Sequence, residues 1–330
     1  MIYIVEKGDT LGEISAKTGM SEEKIARDNQ IEDRDRLAQG QALLLLRPEE
    51  RGELTAGRRV GGYAYPFVEP AVLGQAFPAM QELLVFSWGF TFEGKLVPPP
   101  QDDLWMIEKA QQQGAEPLLV LTPFSGGAFN NQLVKVLLEN ELLQEKVIDQ
   151  LLITVIGRGY TGVDVDFEYV LPEDRIRYAE FVGKLRSKMN EKGRRVSAAV
   201  APKTSDGQKG LLVEGVDYGL LGENADAVFL MTYEWGYTYG PPMAVAPLDK
   251  VREVVEYALT RIPPGKLILG IPNYGYDWPL PYEKGITRAS GKYGGGRDRS
   301  KVWSRDRICQ DLPGALVPVQ EVRDRACSLV

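Results

Sequence analysis

From Gly61 onward, short apolar runs return along the chain with longer helical stretches between them, and no other feature constrains the fold as strongly. Runs near Gly61–Tyr65, Leu83–Trp88, Pro117–Leu121, Gly162–Glu168, Arg195–Ala201, Ala227–Tyr233 and Lys266–Pro272 read as strands. Consecutive strands separated by helices run parallel, because each helix returns the chain to the sheet end from which the last strand began. These seven runs predict an α/β architecture, a (β/α)8 barrel of TIM type whose eighth strand is missing. A barrel of this kind builds its active site at the C-terminal strand ends, so the residues there are the ones to weigh.

Composition narrows the chemistry. The 330 residues suffice for one large domain and a small one, and a 44% hydrophobic, 26% charged chain is globular rather than disordered. No apolar run is long enough for a membrane span. A net charge of −7 argues against a nucleic-acid surface and suits a neutral or amphoteric polymer. The chain contains no histidine, which removes Ser-His-Asp, Cys-His and His-metal mechanisms and leaves carboxylates as the acid–base groups. Cys309 and Cys327 form no metal-ligand spacing, so neither a metal nor another cofactor is expected. Met1-Ile2-Tyr3-Ile4-Val5 runs straight into a structured pattern, and no cleavable signal is expected ahead of it.

Within the fourth run, Asp164, Asp166 and Glu168 occupy every second position, with Val163, Val165 and Phe167 between them. On a strand the acids therefore share one face and the apolar set the other. A solvated surface strand would read the same way, but neighbouring carboxylates repel and raise one another's pKa. That suits a general acid, which has to keep its proton near neutral pH.

The run resembles the D-x-x-D-x-D-x-E strand of family-18 glycoside hydrolases, the chitinase-like (β/α)8 barrels, with Thr161 in place of the first Asp. Thr161 is expected at the buried start of the strand, where it would alter support of the acids rather than the chemistry. The resemblance implies that Glu168 protonates the glycosidic oxygen while the substrate's own 2-acetamido carbonyl attacks the anomeric carbon. It further implies that Asp166 orients the acetamido group, with Asp164 behind it. Met231-Thr232-Tyr233-Glu234-Trp235 resembles the family's M-x-Y-[DN] segment, in which the tyrosine hydroxyl holds the acetamido group and the next acid contacts the sugar. Met231, Tyr233 and Trp235 share a face by period 2. The seventh run is read as ending with Asn273-Tyr274-Gly275-Tyr276-Asp277-Trp278, where Asn273, Tyr276 and Trp278 are candidates and the aromatics could stack on sugar rings or simply fill core. Tyr65, Phe86 and Trp88 are weaker candidates of the same kind.

Residues 1–47 read as a separate β-α-α-β module. Thr10 and Glu13 form a capping box, Ser21 can cap a second helix, and Ala42-Leu43-Leu44-Leu45-Leu46 closes as a strand. The stretch resembles a LysM module, which implies binding of N-acetylglucosamine-containing glycan between the Gly8-Asp9-Thr10-Leu11 turn and the loop from Asn29 to Ile31. A small packing domain is the competing reading. Residues 48–57 carry Pro, Gly and charge, as a linker should, and 58–290 form the incomplete barrel.

Together the two parts look like the LysM-linked family-18 enzymes of spore-forming bacteria. That resemblance implies an N-acetylglucosaminidase acting on spore-cortex peptidoglycan, associated with spore or cell wall and lacking a cleavable signal. Chitinase is the alternative enzyme, and a non-catalytic glycan-binding protein is the alternative outside enzymes. The partner expected is a peptidoglycan or chitin-type polysaccharide, and the chain is expected to be a monomer.

After about Ser290 the barrel pattern gives way to a Gly/Pro/Arg mixture. With permitted codons read one base late, Ala315–Val330 yields PWFRYRKYGTEHVVWF, which resembles the family's insertion segment. Residues 291–330 are therefore expected to be an out-of-frame tail, leaving a truncated barrel.

Overall fold

The computed structural model describes residues 2–29, 31, 33–35, 37, 39, 41–45, 59–125, 128–278, 281–286 and 288–291. The expected 291–330 tail lies outside these residues apart from Gly291, as does the linker at 48–57. The chain divides into two compact units, one holding Arg58–Thr232 with Glu253–Gly270 and the other holding the rest.

The N-terminal module has the expected order. Strand β1 (Ile2–Ile4) leads to helices α1 (Leu11–Thr18) and α2 (Glu22–Asn29), and β2 (Ala42–Leu44) pairs antiparallel with β1. The Thr10 side chain accepts from the Glu13 amide while Glu13 reaches back to the Thr10 amide, so two otherwise orphaned donors are satisfied. Ser21 Oγ accepts from the Lys24 amide, as a cap on α2 should. Leu11, Ile14, Ile25, Leu43 and Leu45 are buried together as the module's core.

The large unit is built on seven parallel strands: β3 (Gly61–Ala64), β4 (Glu82–Phe90), β6 (Glu116–Leu121), β9 (Gly162–Val165), β10 (Arg195–Val200), β11 (Ala227–Leu230) and β12 (Leu267–Leu269). They lie in chain order across the sheet, and short β5 (Leu96–Val97) pairs with β4 and β7 (Phe124–Ser125) with β8 (Ala128–Phe129). Successive strands are separated by helices α3 (Pro70–Ala76), α4 (Leu104–Gln112), α5 (Asn131–Glu139), α6 (Glu141–Arg158), α7 (Arg175–Asn190), α8 (Tyr218–Asn224) and α9 (Leu248–Leu259). This is a TIM-barrel-type α/β fold.

Register decides which side chains share the inner face. Val120, Asp164 and Ser197 stand side by side on β6, β9 and β10. Leu84, Leu118 and Val120 form an inner cluster with Tyr63 and Phe86 against it. The opposite face is apolar: Val163, Val165 and Phe167 are buried, and Phe167 stacks on Tyr178 and Phe181 of α7. Where β9 begins, Gly162 is required by close approach, since a Cβ there would stand 2.4 Å from the Arg195 carbonyl oxygen. Beneath the sheet, buried Glu82 is held by Arg59 and Arg195, each at 2.7 Å.

In the other unit, β13 (Tyr274–Asp277) pairs antiparallel with β14 (Arg288–Gly291). The expected continuation of the seventh barrel strand into Asn273–Trp278 is thus corrected: β12 ends at Leu269, and 274–277 belong to a separate ladder.

Candidate active site

The acids do not sit on a half-exposed strand. Asp164 is fully buried and Asp166 is 5% exposed, so both faces of β9 are covered. Pairing also ends at Val165, which puts Glu168 three residues beyond the strand, in the loop on the sheet's C-terminal face. Glu168 is half-buried, and Tyr169 after it turns into a left-handed backbone, φ 59°. Thr161, expected to be buried, is only half-buried; its hydroxyl donates to the Pro117 carbonyl at 2.8 Å, stitching β9 to β6.

Asp164 is tightly held. Tyr63 Oη donates to Oδ2 at 2.8 Å and Ser197 Oγ to Oδ1 at 2.5 Å. Burial still pushes its carboxyl up, against those two hydrogen bonds, which pull it down. Asp166 has no such compensation: Oδ1 is buried without a hydrogen-bond partner. Burial first, then the charges of Glu168 and Asp164, push the Asp166 carboxyl well above the usual range. The series therefore holds a proton more firmly than a free carboxyl would, most of all on the residue between the anchored acid and the half-buried one. A buried carboxyl oxygen without a partner costs stability, and such an orphan in a native fold calls for a functional explanation.

Tyr63 and Ser197 were not singled out from sequence. Period 2 alone puts Tyr63 on the face of Tyr65, but the bond to Asp164 depends on a partner 101 residues away. The signal for Ser197 was one hydroxyl residue in an apolar strand, aligned with Asp164 only by register.

Among the aromatic candidates of this unit, Tyr65 is 49% exposed, stacks on Phe67 at 4.8 Å and meets Phe86 edge-on at 5.1 Å. Phe67, 66% exposed, extends that surface and was missed. The Phe86–Ser87 peptide bond is cis. Trp88 is corrected to core: it is buried, and its indole N–H donates to Asp103 at 2.7 Å. Met231 follows β11, half-buried, with its amide bonded to the Val200 carbonyl.

Tyr233, Glu234, Trp235, Asn273, Tyr276 and Trp278 belong to the second unit. There, Tyr233, Tyr274, Tyr276 and Trp278 form a row of ring contacts at 6.4, 6.0 and 5.8 Å. Glu234, exposed and at φ 71°, accepts from the hydroxyls of Tyr274 and Tyr276, the latter at 3.0 Å. Burial and that carboxylate push the Tyr276 hydroxyl up to about 12. Trp235 is half-buried with its amide bonded to Val245, and Asn273 is exposed. Tyr274 was passed over although it shares the period-2 face of Tyr276.

In the module, most of the expected glycan-contact side chains serve the fold. Leu11 is corrected to core, 1% exposed. Asp9 accepts from Tyr3 Oη, the Glu6 amide and Lys17 Nζ at 2.7–2.9 Å, and Thr10 caps α1. The Asn29 amide bonds to both N–H and C=O of Leu44 and to the Ile25 carbonyl. Gly8 remains open, at φ 96° with nothing within 4 Å of where a Cβ would stand, and Ile31 is half-buried against the core.

Among the described residues, no group of His, Cys, Asp or Glu side chains is placed to hold a metal ion, and no helix is long and apolar enough to cross a membrane.

Residues 3–45 match the LysM domain, and residues 106–326 match glycosyl hydrolases family 18. A cortical fragment-lytic enzyme of Bacillus anthracis is 33% identical over 333 aligned residues, covering 86% of this chain and 77% of that protein. The Bacillus subtilis (strain 168) enzyme of the same name is 39% identical over 215, covering 65% and 49%, so this chain spans about half of that relative. The crystal structure of the Bacillus megaterium QM B1551 spore cortex-lytic enzyme SleL superposes with a TM-score of 0.66 at 31% identity, covering 88% of this chain and 68% of that one. The chain, an N-terminal LysM domain followed by a TIM-barrel-type unit with buried paired acids, belongs to glycosyl hydrolases family 18.

Proposed function

We propose that this protein hydrolyses N-acetylglucosamine-containing glycan, with spore-cortex peptidoglycan as its polymer, through the substrate's own acetamido group. The observation that carries the reading is Asp166, whose Oδ1 is buried without a hydrogen-bond partner and whose carboxyl is pushed well above the usual range, two residues before half-buried Glu168. A carboxyl held towards its neutral form is a poor nucleophile, so a covalent intermediate on Asp166 is disfavoured. The substrate's acetamido oxygen supplies the attack instead.

In this mechanism Glu168 protonates the glycosidic oxygen as the C1–O bond breaks, and the acetamido carbonyl oxygen bonds to C1, giving an oxazolinium ion. The Glu168 carboxylate then takes a proton from the water that attacks C1, and configuration is retained. Asp166 holds the acetamido group, whose developing positive charge offsets the repulsion among the acids and is favoured most in the transition state. Tyr63 and Ser197 keep Asp164 in place behind it. For Tyr233 we propose a hydroxyl contact to the acetamido group, so Tyr233→Phe should lower kcat and leave the fold intact. Tyr65, Phe86, Met231, Glu234, Trp235, Asn273, Tyr276 and Trp278 are proposed to contact the sugar chain.

The LysM domain is proposed to hold the enzyme on spore or cell-wall glycan, mainly through backbone at Gly8 and through Ile31. Removing residues 1–45 should weaken turnover of insoluble polymer and leave short oligosaccharides unaffected, because tethering raises local concentration without touching the chemistry.

Incubation with purified cortex peptidoglycan and with chitin, followed by mass spectrometry of the fragments, tests the substrate. New N-acetylglucosamine reducing ends from cortex are expected; release from chitin alone would move the substrate to chitin, and release from neither would reject hydrolysis. A thiazoline analogue of the oxazolinium should inhibit competitively, and failure to bind would reject the acetamido mechanism. We also propose that the codons after about Gly291 are read out of frame. The family match runs to residue 326 in the frame as given, which counts against this, and resequencing codons 286–295 decides it.

A further inference from the structure

Lys203, in the loop after β10, is buried in the barrel unit and has no part in the mechanism above. Its backbone amide donates to Tyr218 Oη at 3.0 Å, and that hydroxyl donates to the Ala201 carbonyl at 2.7 Å, so the side chain starts from a fixed point. Its Nζ donates to the Val213 and Val216 carbonyls at 3.3 and 2.8 Å. Those two carbonyls bracket Gly215, where the loop meets the chain beyond β9: a Cβ on Gly215 would run into the Val170 carbonyl and stand 2.9 Å from the Leu171 oxygen. Burial pushes the Lys203 ammonium below the ordinary lysine range, Asp217 opposes that and Arg175 adds to it. An apolar stem would fill the same space without the cost of burying a charge, so packing alone does not account for a lysine here.

Val170 stands two residues past Glu168. Phe167 and Val170 are each 3% exposed, while Glu168 between them is half-buried and Tyr169 exposed, so this pair is slung between two buried anchors. Phe167 is fixed by its stacking on Tyr178 and Phe181 of α7. Val170 is fixed by the wall at Gly215. Consecutive Cα atoms stand ~3.8 Å apart, so two peptide units leave little slack to absorb a shift of Val170 before it reaches Glu168. Tyr169 between them holds a left-handed backbone, φ 59°, and strain of that kind persists only where the surroundings hold it in place. Misplacing a reacting group by about 1 Å can cost about 10²-fold in rate.

We infer that Lys203 is a positioning residue for proton donation: by holding Val213 and Val216 so that Gly215 backs Val170, it fixes the turn that presents Glu168. The inference rests on the glycosidase reading above and concerns how Glu168 is aimed.

The test uses the full chain and two N-acetylglucosaminides, one with a sugar leaving group, which needs a proton to depart, and one with 2,4-dinitrophenolate, which leaves without one. On both, kcat/KM reports the steps up to departure of the leaving group. Lys203→Met should lower it by about tenfold or more on the first substrate and by less than about threefold on the second, a share of the roughly 10²–10⁴-fold that a general acid supplies. Gly215→Ala, which leaves the lysine in place and crowds Val170, should show the same selectivity. Equal effects on the two substrates in either variant, from no loss to complete loss, would mark the contact as support of the fold alone and overturn the inference while the glycosidase reading stands. If wild type cleaves neither substrate, the glycosidase reading falls and the inference with it.

Discussion

Asp9 and Asp166 are the same residue type in two regions of one chain, and the fold treats them in opposite ways. In the LysM domain Asp9 gains a tyrosine hydroxyl, a backbone amide and a lysine, and its carboxyl falls to about 2, with the Glu6 amide the largest cause. In the barrel unit Asp166 gains no partner at Oδ1, lies beside two further acids and is pushed up. A carboxylate whose lone pairs are satisfied at home serves the fold. One left unsatisfied in a buried site waits for something from outside, and the fold bears the cost.

The comparison breaks most visibly at Glu168. Glu168→Gln keeps shape and removes the transferable proton, so kcat should fall by about 10²-fold or more while substrate binding is nearly kept. Steady-state kinetics on a soluble oligosaccharide reads it, and near-normal kcat would remove Glu168 from the proton-donor role.

Asp166→Asn should separate function from stability. A lower kcat, again by about 10²-fold, is expected together with a higher Tm. The sign follows from linkage. The folded value of Asp166 lies above its ordinary 3.8, so the folded chain holds a proton that the unfolded chain has lost. Its contribution to stability therefore declines as pH rises from about 4 towards the raised value, and the amide, which never ionises, escapes that decline. Each kcal/mol recovered at pH 7 should raise Tm by about 2–4 °C. A variant that loses both activity and Tm would mark Asp166 as a structural acid like Asp9.

Asp9→Asn is the smaller and opposite case. The folded value is depressed, so its contribution is present above about 3.8 and is lost as pH falls through about 2. Wild type should lose LysM-domain structure over that window, followed by NMR of α1 and α2 amides. The variant should be less stable at neutral pH and show a flatter acid dependence, and identical acid profiles would contradict the role of the Tyr3–Lys17–Asp9 cluster.

Sequence revealed what repeats along one segment and hid what depends on register between segments. All seven barrel strands lie where apolar runs predict them, and the inner ones, such as β6 and β9, are buried on both faces and so show themselves by composition alone. Boundaries were less legible. The alternation of acids and apolar residues continues to Phe167 after pairing stops at Val165, so Glu168 read as strand although it lies in the loop. The antiparallel partner of 274–277 lies at Arg288–Gly291, a stretch without alternation, which let β13 pass as the end of β12. Tyr63 and Ser197 could be assigned only once strands far apart in sequence were laid side by side. In the LysM domain, polar side chains that looked available for glycan are taken up by caps and cross-links, since a domain this small needs them for its own stability.

The central proposal is that the raised Asp166 carboxyl keeps its proton at neutral pH, and infrared difference spectroscopy of wild type against Asp166→Asn measures this most directly. At pH 7 the wild type should show the C=O band of a protonated carboxylic acid, and Asp166→Asn should lack it. A wild-type spectrum at pH 7 with carboxylate bands alone, unchanged in protonated-acid signal by the substitution, would contradict the account.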